Sequence, residues 1–189
     1  MNREKAWELL TRYTKSESLI RHALAVEAGM RHYARHFGKD EEYWGITGLL
    51  HDFDYEAYPD ERNHPYRGSE ILKKEGFPEE MRRAIMGHAS YTGVPRDTLL
   101  AKTLFAVDEL AGFIMAVALV RPSKSIHDVK PKSVKKKFKT HAFAAKVNRE
   151  EIAQGIAELG VDETEHIQRV IDALRMVAAD IGLEGEPQV

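Results

Sequence analysis

The stretch Gly48-Leu49-Leu50-His51-Asp52-Phe53-Asp54 sets an imidazole and a carboxylate side by side directly after a short apolar run. Two polar side chains in that position are costly unless something compensates them, and a divalent cation is the usual compensation. Neutral imidazole and ionised carboxylate are both good ligands for zinc, iron or manganese, and neighbours on the last turn of a helix can hold one ion or bridge two. The dipeptide alone decides little. It recurs at His127-Asp128, and His51 reads equally well as a capping or hydrogen-bonded core histidine. The remainder of the chain has to choose between these readings.

With 189 residues and 43% hydrophobic content, the chain can bury one sizeable core, and a single domain is expected. Lys and Arg number 28 against 30 Asp and Glu, for a formal net charge of −2. No global basic field exists to draw the protein to nucleic acid or an anionic membrane, so any phosphate affinity has to be local. Cysteine is absent, which excludes disulfides and thiolate ligands and leaves His, Asp and Glu to hold a metal. That suits a reducing cytoplasm. Met1-Asn2-Arg3-Glu4-Lys5 leads into no apolar signal region, and Phe113 to Val120 is too short a run to cross a bilayer. A cytoplasmic protein with neither a membrane nor a nucleic-acid partner is expected.

Apolar residues recur at helical spacing, with no strand alternation, internal repeat or low-complexity segment, so the expected class is all-α. A short helix over 4–13 is followed by a longer one from Ser16 or Ser18 to 37, with Leu19, Ala23, Val26, Met30, Tyr33 and Phe37 in one stripe and Gly38 as its stop. His22 lies at the edge of that stripe, as a core residue or a ligand; His32 and His36 read as solvated. Asp40 caps a helix over 41–52 that leads to His51 and Asp52. Asp54 to Asn63 reads as a loop, and Pro65 fits the first turn of a helix over 65–75. Pro78 opens another helix, with His88 in register with Met81, Ala84 and Ile85. Asp97 caps the longest helix, 98–120, where Asp108 falls in an otherwise apolar run and needs a cation, a hydrogen-bond network or a water-lined cavity.

From Arg121 to Arg149 the character changes, with Lys124, Lys130, Lys132, Lys135, Lys136, Lys137, Lys139, Lys146 and Arg149 crowded together. This reads either as a solvated helix surface or as a cationic wall for a phosphate-bearing substrate. Helices over 149–158 and 162–181 close the chain, and 182–189 reads as a disordered tail. The expected unit is 1–181, with a metal-binding core over about 16–120 and C-terminal helices over about 131–181.

The conspicuous residues, His22, His51, Asp52, His64, His88 and Asp108, each sit on a helix or at its end within the first 108 positions. Their order resembles the HD-domain metal-dependent phosphohydrolase superfamily, whose core motif is a His, a His-Asp pair and a distant Asp on a helical bundle. Ser18-Leu19-Ile20-Arg21-His22 resembles the first element, Gly48-Leu49-Leu50-His51-Asp52 the second, and Thr103-Leu104-Phe105-Ala106-Val107-Asp108-Glu109-Leu110 the last. His64 in His64-Pro65-Tyr66-Arg67-Gly68 and His88 in Met86-Gly87-His88 look like the extra ligands of the binuclear branch. A single His at each intermediate position is similar to the bacterial diadenosine tetraphosphate hydrolases. This chain departs from them after Asp108, continuing as Glu109-Leu110-Ala111-Gly112-Phe113 without their proline-and-arginine segment, and adds the lysine-rich region. The Gly-Tyr-Pro signature of the cyclic-dinucleotide-degrading branch is also missing.

The resemblance implies an HD-like helical bundle and one or two divalent ions, among Fe, Mn, Zn, Co, Ni and Mg. It also implies hydrolysis of a phosphoester or phosphoanhydride, with a nucleotide as the first candidate partner and room for a homodimer. Within it, His22, His51 and Asp108 hold one ion, His64 and His88 the other, and Asp52 bridges them. Asp52, Asp54 and Arg67 are candidates for the chemistry, with Glu109 beside them in second rank for proton handling. Arg67, Lys146 and Arg149 are candidates for substrate phosphate, and Lys135 to Lys137 for the distal phosphates of a polyphosphate. Two other classes would use similar ligands: a regulatory metal- or nucleotide-binding module without turnover, and an HD-like oxygenase or lyase using mixed-valent iron. The complete ligand set argues against the first of these.

Overall fold

The computed structural model describes residues 2–185. Among them there is no strand; nine helices make the fold. They are α1 (Arg3–Tyr13), α2 (Glu17–Phe37), α3 (Glu41–Leu49), α4 (Tyr66–Lys74), α5 (Glu79–His88), α6 (Leu99–Leu119), α7 (Pro131–Phe138), α8 (Arg149–Leu159) and α9 (Glu163–Arg175). The helices α2 and α6 lie at the centre, packed on one another, and between them they touch α3, α5, α7, α8 and α9. No helix among the described residues is long and apolar enough to cross a membrane.

The starts and stops follow ordinary capping chemistry. The carboxylate of Asp40 accepts from the Tyr43 amide at 2.9 Å and opens α3, and Gly38 closes α2 in the left-handed region at φ 62°. The cap of α6 is Thr98 rather than Asp97, its hydroxyl accepting from the Ala101 amide at 3.2 Å. Leu104, Val107, Leu110 and Ile114 on α6 are wholly buried, and truncating any of them to Ala should cost about 2–5 kcal/mol.

Two close contacts determine where the peripheral helices sit. Glu27 on α2 is buried, and its carboxylate takes Arg3 Nε and Nη2 at 2.7 and 2.9 Å and Arg31 Nε at 2.9 Å. Two guanidiniums compensate one buried charge, and through Arg3 they tie α1 to α2. On the other side, a Cβ added at Gly155 would stand 2.7 Å from Ala106 Cα. Only glycine lets the backbone of α8 approach α6 so closely.

Three boundaries differ from the expectation. The third helix ends at Leu49, not at 52, and Leu50 to Ala57 continue as turns. The last helix ends at Arg175, and the chain turns through 176–182 with Ala178 and Ile181 still buried. The disordered tail expected from 182 does not begin there: Leu183 is buried, its carbonyl accepts the Ile126 amide at 2.9 Å, and Ser125 Oγ donates to Glu184 O at 2.9 Å. A buried apolar side chain and backbone partners hold this part of the terminus in place. Residues 186–189 lie outside the described residues.

Candidate metal centre

Two groups of side chains meet between α2, α5, α6 and the turns after α3. In the first, His22 Nε2 lies 2.9 Å and His51 Nε2 3.2 Å from the same oxygen, Asp108 Oδ1. In the second, His64 Nε2 and His88 Nε2 lie 3.2 and 3.1 Å from Asp52 Oδ1. Asp52 joins the two, because its other oxygen, Oδ2, stands 3.6 Å from His51 Nε2. Each trio has one ligand atom per residue within 4.8 Å of the others, close enough to hold an ion.

Local structure explains these positions. Because α3 stops at Leu49, the His51 amide bonds back to Gly48 O and the ring follows it, Nδ1 donating to that carbonyl at 2.7 Å. His88 ends α5 in the same way, its Nδ1 donating to Ile85 O at 2.5 Å. His64 Nδ1 donates to Asp54 Oδ1 at 2.8 Å. With Nδ1 donating in all three, Nε2 is the nitrogen left to take a proton or a metal ion.

Each of these nitrogens faces a carboxylate oxygen, as His88 Nε2 does Asp52 Oδ1 at 3.1 Å, an arrangement satisfied by a proton on the nitrogen or by a cation between the two. The clearest case is His51: Nε2 is fully buried and has no hydrogen-bond partner, since Asp108 Oδ1 is near but off the line of a hydrogen bond. The electrostatics agree. Burial opposes a charge on His51, yet the carboxylates of Asp108 and Asp52 outweigh it and push its pKa up to about 10. Burial likewise opposes charge on His64, and its bonds to Asp52 and Asp54 push it up to about 9. Asp52 and Asp108, despite burial, are held well below the usual carboxylate range by the same histidines. A site that attracts protons this strongly is one that a divalent ion can fill instead, with two carboxylates and four imidazoles as donors.

The expected participants divide sharply once they are located. Asp54 is buried and accepts from both His64 Nδ1 and the Gly68 amide, the latter at 2.7 Å, so it orients a histidine rather than meeting substrate. A Cβ on Gly68 would lie 2.7 Å from the Asp54 carboxyl carbon, which is why glycine stands there. Arg67 is exposed and turned to Asn63 Oδ1 at 3.3 Å and Glu70 Oε2 at 3.4 Å, outside the cavity. Glu109 does line the cavity; burial, then its neighbour Asp108, pushes its carboxyl up to about 7 while it accepts the Asn148 amide at 3.1 Å.

The lysine-rich region also divides. Lys135 pairs with Glu163 and donates to Thr164 Oγ1 at 2.8 Å, and Lys137 lies 4.6 Å over the Phe143 ring; neither lines the cavity, and nor does Lys136. Arg149 is structural. Its guanidinium lies 5.1 Å over Phe113 and donates to Phe138 O at 3.2 Å, Thr140 O at 3.1 Å, Phe143 O at 2.5 Å, Ala144 O at 3.5 Å and Val147 O at 3.4 Å. It thereby holds residues 139–148 as a strap across α6, with Phe138 and Phe143 packed on Phe113. From that strap Lys146, Val147 and Asn148 reach the cavity.

The cavity above the two groups measures about 780 Å³. Its floor is formed by His22, Asp52, His64, His88 and Asp108, with His51 beneath them and wholly buried. The walls include Tyr55, Glu61, Tyr91 and Glu151, none of which the sequence marked, because they come from turns and a helix far apart in the chain. His166 on α9 was also unforeseen: it is buried, Tyr33 Oη bonds its Nδ1, and its Nε2 donates to Ala106 O at 2.8 Å.

Residues 19–112 match the family model described as HD domain. No curated protein and no solved structure matches the chain. HD domains bind divalent metals and generally belong to metal-dependent hydrolases, and the donors assembled here are of the kind such ions take. The matched stretch opens three residues before His22, closes four after Asp108 and includes every residue of both His/Asp groups, so this part of the chain is similar to HD domains and carries side chains that could hold a metal ion.

Proposed function

We propose that the protein is a metal-dependent phosphohydrolase that cleaves a phosphoester or phosphoanhydride of a small molecule. The observation that carries the reading is the pair of His/Asp groups joined through Asp52, with imidazole lone pairs and carboxylates converging on the floor of an open cavity. His22, His51 and Asp108 would hold one divalent ion, His64 and His88 a second, and Asp52 both. Ions so held supply Lewis acidity toward a phosphoryl oxygen and toward water. The protein's own part is positional: Gly48 O, Ile85 O and Asp54 hold three rings in the right tautomer, and burial of His51 keeps bulk water from that side.

The arrangement of one histidine at each intermediate position is what favours a comparison with diadenosine tetraphosphate hydrolases. Of the lysines that would read a long polyphosphate, Lys135, Lys136 and Lys137 lie away from the cavity and Lys146 reaches it, so that narrower reading has little support. Metal analysis of protein purified without chelators, followed by a phosphate-ester panel with the recovered metal, tests the proposal. Two ions per chain and phosphate release are expected; oxygen uptake with no phosphate release would overturn it in favour of an oxygenase.

A further inference from the structure

Beyond the ligand groups and Glu109, the charged side chains lining the cavity are Glu61, Glu151 and Lys146. Glu61 stands in the turns before α4 and Glu151 on the first turn of α8, and both line the cavity itself. Lys146 makes no hydrogen bond or ion pair among the described residues. The wall is therefore net acidic. Two half-exposed aromatic rings, Tyr55 and Tyr91, stand on the same wall, and the Tyr91 hydroxyl is already engaged, donating to His64 O at 2.9 Å.

Each of these features has a counterpart in a ligand. A phosphoryl group beyond the one on the floor would meet two carboxylates with a single lysine to offset them, and like charges brought together on binding discriminate against that ligand. Carboxylates instead accept from hydroxyl groups, and flat aromatic rings cover the apolar face of a sugar or base. The space of about 780 Å³ suits a body of sugar or nucleoside size. Resting on the phosphohydrolase reading, we propose that the substrate is a phosphate monoester of a polyhydroxylated body, and that Glu61 and Glu151 read its hydroxyls and exclude polyphosphates.

The test uses the full chain loaded with manganese and compares glucose 6-phosphate, AMP, ADP, ATP and p-nitrophenyl phosphate. Binding is read by calorimetry and turnover by phosphate release. The expected order is AMP or glucose 6-phosphate ahead of ADP and ATP, with affinity falling about tenfold per added phosphate. In a Glu61→Gln/Glu151→Gln variant the AMP-to-ATP ratio should shrink about tenfold, with metal content as the control for folding. Glucose 6-phosphate against AMP separates a sugar from a nucleoside body. Preference for ATP in the parent protein, or an unchanged AMP-to-ATP ratio in the variant, overturns the inference. Failure of every compound to release phosphate refutes the phosphohydrolase reading instead, and the calorimetric ratios still judge the wall by themselves.

Discussion

Replacing Asp54 by Ala separates an orienting carboxylate from one that carries chemistry. In the structure the side chain is buried and its two oxygens are both spent, Oδ1 on His64 Nδ1 at 2.8 Å and Oδ2 on the Gly68 amide at 2.7 Å. Removing it frees the His64 ring to rotate and to shift its proton to Nε2, the atom that faces Asp52. Loss of such an orienting partner costs about 10–100-fold in metal affinity, or about 1.4–2.7 kcal/mol. The orphaned Gly68 amide adds about 1–3 kcal/mol of lost stability. Metal occupancy read by mass spectrometry during a competitive chelator titration should then resolve two sites, one weakened and one near its original affinity. Asp54→Asn should fall between, since the amide oxygen can still accept from His64 while its NH2 opposes the Gly68 N–H. If both sites keep their affinity within twofold and only kcat falls, Asp54 acts on substrate and the geometry has been misread.

Asp52→Ala removes the carboxylate of the second group that also stands 3.6 Å from His51 of the first, so both ions should be lost together and phosphate release should drop at least a hundredfold; full occupancy of either site by metal analysis would contradict this. Arg149→Met releases the carbonyls of the strap, and KM should rise about tenfold while metal content stays at the parent value, because the strap supplies cavity wall and no ligand. His166 sets an acid limit on stability. Burial lowers its pKa from 6.5 to about 4, so the unfolded chain binds the extra proton first and stability declines as pH falls from about 6.5 toward 4. The share lost by pH 4.5 is about 2–3 kcal/mol, and urea melts of His166→Gln against the parent should show that much less acid sensitivity.

How much of this was legible in the chain depended on whether the signal was local. The helices followed from stripes such as Leu19, Ala23, Val26, Met30, and the six ligand candidates followed from polar residues in apolar settings; all six meet in the structure. Asp54 and Arg67 were misjudged because chemical type cannot reveal direction: one is turned inward to His64, the other outward to Glu70. The lysine run stayed open between a solvated surface and a cationic wall for a similar reason; in the structure Lys146 lines the cavity while Lys135 pairs with Glu163. Glu61, Tyr91 and Glu151 could not have been found at all without the fold, being joined by packing alone. His166 adjoins the stripe of Ile167, Val170 and Ile171, but a histidine beside an apolar stripe carries no sign of its partner.

The clasp at Arg149 has a consequence for how this protein can change over time. A loop stabilised by its own side chains binds its specificity to its stability, because each substitution disturbs both. Here the strap is held through its carbonyls, which every residue type possesses, by one guanidinium resting on Phe113. Between Phe143 and Arg149 the chain is thus free to vary at Ala145 and Lys146, both exposed, without loosening the wall they stand on, whereas Asn148 is held to its type as the cap of α8. New substrate preferences can be tried one side chain at a time on a backbone that is already secured, while the ion-binding floor below stays untouched.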